Sequence, residues 1–260
     1  VKNFHKYPLI NGIDLRIKDL DLNINKYNYG VAEHIGRRDN MEDEHTIIPN
    51  YLDTSISMIF DGHGGGKASQ FVNNNMKKRI RNLTQLDDLD SWVDLFSEID
   101  TDFLKTEYTS GTTANLVVIF DDKIEVINTG DCQALIIYET GYKFSPAHRP
   151  DTELARIPKN RLVRYRGDTL RVTGPQSGGL ALSVSRAFGD PSLKDVVICT
   201  PEKHSYTKQD NKYGKAIAVL QGCDGIWDFI KPPEVIQLIK SNFEKDSQKL
   251  ADLLLNKVYV

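Results

Sequence analysis

The chain has 260 residues, 40% hydrophobic and 27% charged, with a formal net charge of -3. That is enough for one large domain with a real core, and so mild an acidity gives no global drive toward nucleic acid or an anionic membrane. No uninterrupted apolar stretch approaches the roughly 20 residues of a membrane span, and nothing resembles a signal peptide. Cys132, Cys199 and Cys223 are odd in number and scattered without zinc-finger spacing. This argues for a reducing compartment, placing the chain inside the cell in cytoplasm or nucleus. The sequence begins at Val1 without a methionine and is read as part of something longer.

Residues 1–28 carry a weak alternation at Leu20, Leu22 and Ile24 that suggests an edge strand, and they form an N-terminal extension with no assignable role. Residues 29–35 and 45–48 read as strands flanking the charged stretch Gly36-Arg37-Arg38-Asp39-Asn40-Met41-Glu42-Asp43-Glu44. Residues 57–60 form an apolar run with the character of a buried strand, and it stops at Asp61-Gly62-His63 before a glycine-rich turn. Apolar residues at Ala68, Phe71, Val72, Met76 and Ile80, and again at Leu89, Trp92, Val93, Phe96, Ile99 and Phe103, keep helical spacing and predict two amphipathic helices.

Strands resume over 113–120, 123–128 and 132–138, the meander of an antiparallel sheet, and Asn128-Thr129-Gly130-Asp131 puts another acid at a strand end. Residues 149–179 are basic and loop-rich and read as a flap, either a charged surface loop or a gate that attracts phosphorylated peptides. Short strands are expected at 180–183 and 196–200. A strongly apolar one at 216–220 runs into Gly222-Cys223-Asp224-Gly225-Ile226-Trp227-Asp228. Helices follow from Pro232 through Phe243 and around Leu250, Leu253 and Leu254. The economical division is one domain over 29–260 with the flap at its side.

Glu42, Asp61, Asp131 and Asp224 are far apart in sequence, yet each falls in a loop beside a strand end, where two sheets folded together could gather them at one edge. Such a cluster would be electrostatically intolerable without cations. Carboxylates plus water are the ligand set of magnesium or manganese, whereas zinc calls for His or Cys at fixed spacing. Two metals sharing a bridging Asp would lower the pKa of a water toward neutrality and provide a nucleophile for attack on phosphorus. Gly62 lets the backbone approach an ion, and His63 offers a proton donor or acceptor near neutral pH. A lone Asp-Gly is an ordinary turn; its recurrence points to a metallohydrolase. Gly65-Gly66-Lys67 does not make a P-loop, because Asp61 stands where the leading glycine is needed and Ala68 follows the lysine. No cysteine is followed at the right distance by the arginine of a cysteine phosphatase.

The stretches Arg38-Asp39-Asn40-Met41-Glu42-Asp43, Phe60-Asp61-Gly62-His63-Gly64-Gly65, Ser110-Gly111-Thr112-Thr113-Ala114, Asn128-Thr129-Gly130-Asp131, Leu182-Ser183-Val184-Ser185-Arg186-Ala187-Phe188-Gly189-Asp190 and Cys223-Asp224-Gly225-Ile226-Trp227-Asp228 resemble, in order, the motif set of the metal-dependent serine/threonine phosphatases of type 2C. The resemblance implies an α+β fold, a four-layer αββα sandwich of two antiparallel β-sheets flanked by helix pairs. It implies a monomeric enzyme acting on phosphoserine and phosphothreonine in phosphorylated proteins, with no nucleic-acid or membrane partner. It also implies two Mn2+ or Mg2+ ions, with Asp61 bridging them, the Gly62 carbonyl on one, Asp224 on the other, and Glu42 reaching the site directly or through water.

On the same resemblance Asp131 with Asp224, helped by Asp228, would frame a weaker third ion. Arg38 would clamp the phosphate with its planar fork, and His63 would protonate the departing oxygen. Thr113 and Arg186 look like supporting residues, with a purely structural role equally open. One departure stands out: the further metal-binding Asp usual in the family, in an Asp-Asn pair before a final strand, does not appear before Tyr259-Val260. Because Asp61, Glu42 and Asp224 are retained, the expectation is an active phosphatase whose sequence is cut short. The alternative is a pseudophosphatase that keeps the fold as a binding scaffold.

Overall fold

In the computed structural model the described residues are 27–165, 169–175 and 177–259, together with the backbone of 13–17. The edge strand expected around Leu20, Leu22 and Ile24 lies outside them. β1 (Ile13–Ile17) pairs antiparallel with β2 (Tyr27–Val31). The chain continues through β3 (Glu44–Tyr51), β4 (Thr54–Phe60), β5 (Gly62–His63), α1 (Lys67–Arg79), α2 (Leu89–Phe103), β6 (Gly111–Thr112), β7 (Ala114–Ile119), β8 (Lys123–Thr129), β9 (Gln133–Tyr138) and β10 (Tyr142–Phe144). Then come β11 (Leu162–Tyr165), β12 (Thr169–Thr173), β13 (Ala181–Leu182), β14 (Phe188–Gly189), β15 (Glu202–Thr207), β16 (Gln209–Asp210), β17 (Gly214–Gly222), α3 (Asp224–Trp227), α4 (Pro232–Ser241) and α5 (Ser247–Tyr259). One antiparallel sheet has five strands in the order β15-β8-β7-β4-β3, and a second has four in the order β10-β9-β17-β16, with β1 lying along β17.

Strand periodicity explains how these sheets share the core. β4 is buried along its whole length because it is covered on both faces, which is why it reads as a continuous apolar run. Ile56, Met58 and Phe60 pack with Val72 and Met76 of α1 and Trp92 and Phe96 of α2. Ile59 instead joins Val117, Val126, Ile136 and Val219, drawn from both sheets. Leu135, Ile137, Ala218 and Leu220 of the second sheet meet Val235 and Ile239 of α4 and Leu250 and Leu254 of α5. Each such side chain contributes about 1.5–3 kcal/mol by leaving water. α2 starts where Asp88 accepts a hydrogen bond from the Ser91 amide at 2.9 Å, and the Trp92 indole, buried in its stripe, donates to the Leu86 carbonyl at 2.8 Å.

Three sequence expectations are corrected here. Residues 196–200 are not a strand: Val196 and Val197 turn back onto the Leu193 carbonyl and are buried with Val172, Leu182 and Leu193, and only Ile198 makes an isolated bridge, to Arg186. The flap is less loop-rich than its composition suggests, since β11 and β12 pair antiparallel within it and β12 pairs on with β13, the short strand expected at 180–183. The expected strand over 29–35 stops at Val31. β15 is absent from the sequence reading because it is a sheet edge with a polar sequence, Glu202-Lys203-His204-Ser205-Tyr206-Thr207, which hides the alternation. Among the described residues no helix is long and apolar enough to cross a membrane.

Candidate active site

Asp61 sits at the junction of β4 and β5, and its backbone is fastened to the start of β7. The Thr113 amide donates to the Asp61 carbonyl at 2.9 Å, and the Asp61 amide donates to Thr113 Oγ1 at 3.2 Å. This gives Thr113 a definite supporting task. Asp224 opens α3 directly after β17, with Cys223 Sγ accepting the Gly225 amide at 3.2 Å. A carboxylate oxygen of Asp61, one of Asp224 and Cys223 Sγ lie within 4.8 Å of one another. They border a cleft of about 280 Å³ that is also lined by Arg38, Glu42, Asp43 and Gly62. Gly62 has no room for a side chain: a Cβ there would run into the Glu42 carbonyl and Ser69 Oγ. The missing side chain lets the Glu42 loop press against the end of β4, where Ser69 Oγ donates to the Glu42 carbonyl.

The electrostatics are those of crowded acids. Burial raises Asp61 well above the usual carboxylate range, and the neighbouring charges of Asp43, Asp224 and Asp131 push it further. Burial and Asp228 raise Asp224, against the opposing pull of Arg149 and Arg38. Asp131 is pushed up to about 6 by burial and by Asp224. Hard oxygen donors packed this closely at the edge of a cleft fit a divalent cation, which removes the repulsion by supplying positive charge. Burial likewise pushes the Cys223 thiol up, so the one sulfur in the group stays protonated beside the carboxylates.

His63 leaves β5 toward Asp190, and its Nε2 lies 2.8 Å and 3.0 Å from the two carboxylate oxygens. Burial alone would push the imidazole down, but the hydrogen bond and charge of Asp190 leave it raised above its ordinary value. The pair is fitted around Gly111, the cross-strand partner of His63, where a Cβ would collide with both side chains. Asp190 holds a left-handed backbone (φ 51, ψ 55) at the entry to the turn beginning at Pro191, a conformation Asp tolerates better than most residues.

Asp131 is carried by a loop that is pinned from below. Asn115 Nδ2 donates to Asn128 Oδ1 at 2.9 Å, Asn128 Nδ2 donates to the Gly130 carbonyl at 2.8 Å, and the His148 amide donates to that same carbonyl at 2.8 Å. Asp131 and the exposed Asp228 stand to one side of the cleft and share Arg149. Arg186, the other expected supporting residue, is an internal tie: it bridges Glu153 in the flap and Glu202 on β15.

The structure thus gathers Asp61, Gly62, Glu42, Asp224 and Arg38 on one cleft, keeps His63 beside it, and sets Asp131 and Asp228 apart with a guanidinium. Sequence reasoning missed Asp43, Asp190, Cys223 and Arg149 as members of this neighbourhood. Asp43 and Cys223 stood next to named acids, and the Gly189-Asp190-Pro191 turn was a usable signal. Nothing in the sequence singled out Arg149 among the flap arginines.

Fold and centre together define a metal-dependent hydrolase built on packed antiparallel sheets. The chain belongs to the protein phosphatase 2C family, whose model matches residues 27–259. It is 30% identical over 245 residues to "Probable protein phosphatase 2C 59" of Arabidopsis thaliana, covering 90% of this chain and 75% of that protein. Among solved structures it resembles a serine-threonine phosphatase 2C from Toxoplasma gondii, with a TM-score of 0.67 and 17% identity over 96% of this chain and 92% of that one. It also resembles a C. elegans sex determining protein, with a TM-score of 0.71 and 21% identity over 98% of this chain and 62% of that one.

Proposed function

We propose that the chain removes phosphate from phosphoserine and phosphothreonine in proteins, working as a monomer with two Mn2+ or Mg2+ ions and with residues 29–260 as one catalytic unit. The observation that carries this reading is the convergence of Asp61, Asp224, Glu42 and Arg38 on a single cleft. Asp61, the Gly62 carbonyl, Asp224 and Glu42 would hold the ions, which when bound supply an activated water for in-line attack on phosphorus. Arg38, exposed at the cleft wall, binds the phosphate oxygens through its planar fork. His63 donates through Nε2 to Asp190, which fixes the ring and leaves Nδ1 to pass a proton to the departing serine or threonine oxygen.

Turnover of a phosphoserine peptide should cease in excess chelator and return on addition of manganese or magnesium. Full activity in excess chelator would refute the metal-dependent reading. A chain that binds manganese yet never turns over would instead show a scaffold that has lost the chemistry.

A further inference from the structure

The acids on the far side of Asp224 already have a cation. Arg149 reaches Asp131 Oδ2 with Nε at 3.4 Å and Asp228 Oδ1 with Nη2 at 3.4 Å, and its charge extends to Asp224. Its backbone is fixed in register with Asp131. The preceding residue, His148, accepts the Gly130 amide at Nδ1 (3.2 Å) and donates its own amide to the Gly130 carbonyl (2.8 Å), so Arg149 leaves the same clamp that holds Asp131. The Arg149 amide is tied to Thr152 Oγ1 at 3.0 Å, which sets the direction of the turn into the flap. Both charge contacts are longer than the 2.7–2.9 Å typical of directed charge-assisted bonds. Nε is buried without a hydrogen-bond partner among the described residues. With one long hydrogen bond, from Nη2 to Asp228 Oδ1, the guanidinium is held there chiefly by charge.

We infer that Arg149 takes the place of a third divalent ion at Asp131 and Asp228, so that the flap and a third ion compete for the same acids. The expectation from resemblance, a weaker third ion framed by Asp131, Asp224 and Asp228, meets a pocket where a guanidinium already occupies the space between two of the three acids and offsets part of their charge. Asp131 is 4% exposed at its side chain, so water cannot replace Arg149 beside it, whereas the 56% exposed Asp228 can give up Arg149 to solvent at little cost. A third ion would enter only by displacing Arg149, and that displacement would pull on the first residues of the flap. The inference rests on the two-metal reading for its inner ions, and concerns only the outer acids.

The test is Mn2+ titration of the whole chain, followed by calorimetry and by the electron paramagnetic resonance of free Mn2+. The chain as it stands should bind two ions with no third of comparable affinity. Arg149→Met, which keeps the bulk and removes the charge, should bind a third ion at least about tenfold tighter than the unaltered chain does, because a fixed positive charge has left its ligands. Arg149→Lys should behave as the unaltered chain. Three ions of comparable affinity in the unaltered chain would overturn the inference without any variant. Identical outer-site binding in the unaltered chain and Arg149→Met would overturn it too, with inner binding intact. If no Mn2+ bound to either chain, the two-metal reading would be lost and this inference with it.

Discussion

Replacing Glu153 with Gln tests how far one buried ion pair supports the base of the flap. The carboxylate accepts from Arg186 Nε at 2.8 Å and Nη2 at 2.5 Å, from Arg156 Nη2 at 2.9 Å and from Ser185 Oγ at 2.5 Å. The Glu153 and Arg186 side chains are each 10% exposed. Burial alone would raise the Glu153 pKa, but the hydrogen bonds from Arg156, Arg186 and Ser185 hold it at about 2, down from 4.5. That depression is worth on the order of 3 kcal/mol. Breaking a buried pair by removing one partner costs about 3–5 kcal/mol, because the other charge is left behind.

Arg186 retains Glu202 and the Thr200 carbonyl, and Arg156 retains the Val196 and Ser185 carbonyls, which offset part of the loss. Glu153→Gln should therefore cost about 3 kcal/mol at pH 7, a fall in Tm of roughly 6–12 °C for a domain of this size. The sign with pH follows from the depressed pKa. Stability from the ionised carboxylate is fully present above 4.5, the unfolded value, and is lost as pH falls from there toward about 2. The assay is urea unfolding followed by fluorescence of the buried Trp92 and Trp227, for both chains, from pH 7 downward. Their difference should be constant to about pH 5 and then shrink. A difference below about 1 kcal/mol at pH 7, or one that persists undiminished at pH 3, would refute this account of the network.

Asp61→Asn should be the most damaging single change at the centre, abolishing peptide turnover and weakening Mn2+ binding measured by calorimetry. His63→Gln should lose about 10²-fold or more on phosphoserine peptide while losing little on an activated aryl phosphate, whose leaving group needs no proton; equal losses on both substrates with reduced metal affinity would leave His63 a structural role only. Asp190→Asn keeps the tolerated left-handed backbone and removes the charge beside His63, so its losses should follow the same leaving-group pattern, and an unselective loss would count against an orienting role. Gly111→Ala should separate His63 from Asp190 because its Cβ meets both side chains; near-normal peptide kinetics in that variant would show that the pair adapts.

Much of the molecule was legible from local pattern. The all-apolar run of β4 announced a strand covered on both faces, the 3.6-residue spacing of α1 and α2 announced their stripes, and each Asp-Gly at a strand end marked a place where backbone could approach an ion. These signals survive because they depend on side-chain period and turn chemistry, which act over a few residues. Features that depend on which distant strands are neighbours were not legible. His63 finds Asp190, 127 residues later, only because β5, β6 and β14 share one small sheet. Cys223 enters the acidic centre because the end of β17 is delivered beside the end of β4.

Arg149 is the clearest case, since sequence distinguishes it from no other flap arginine. It faces Asp131 and Asp228 because His148 is clamped to both sides of Gly130, one residue before Asp131. Residue types and their local spacing determined that acids would end strands. The tertiary pairing of strands and loops decided which acids face one another and which share a cation of the protein itself, because Coulomb energies depend on through-space separation and burial, and neither is encoded by position along the chain.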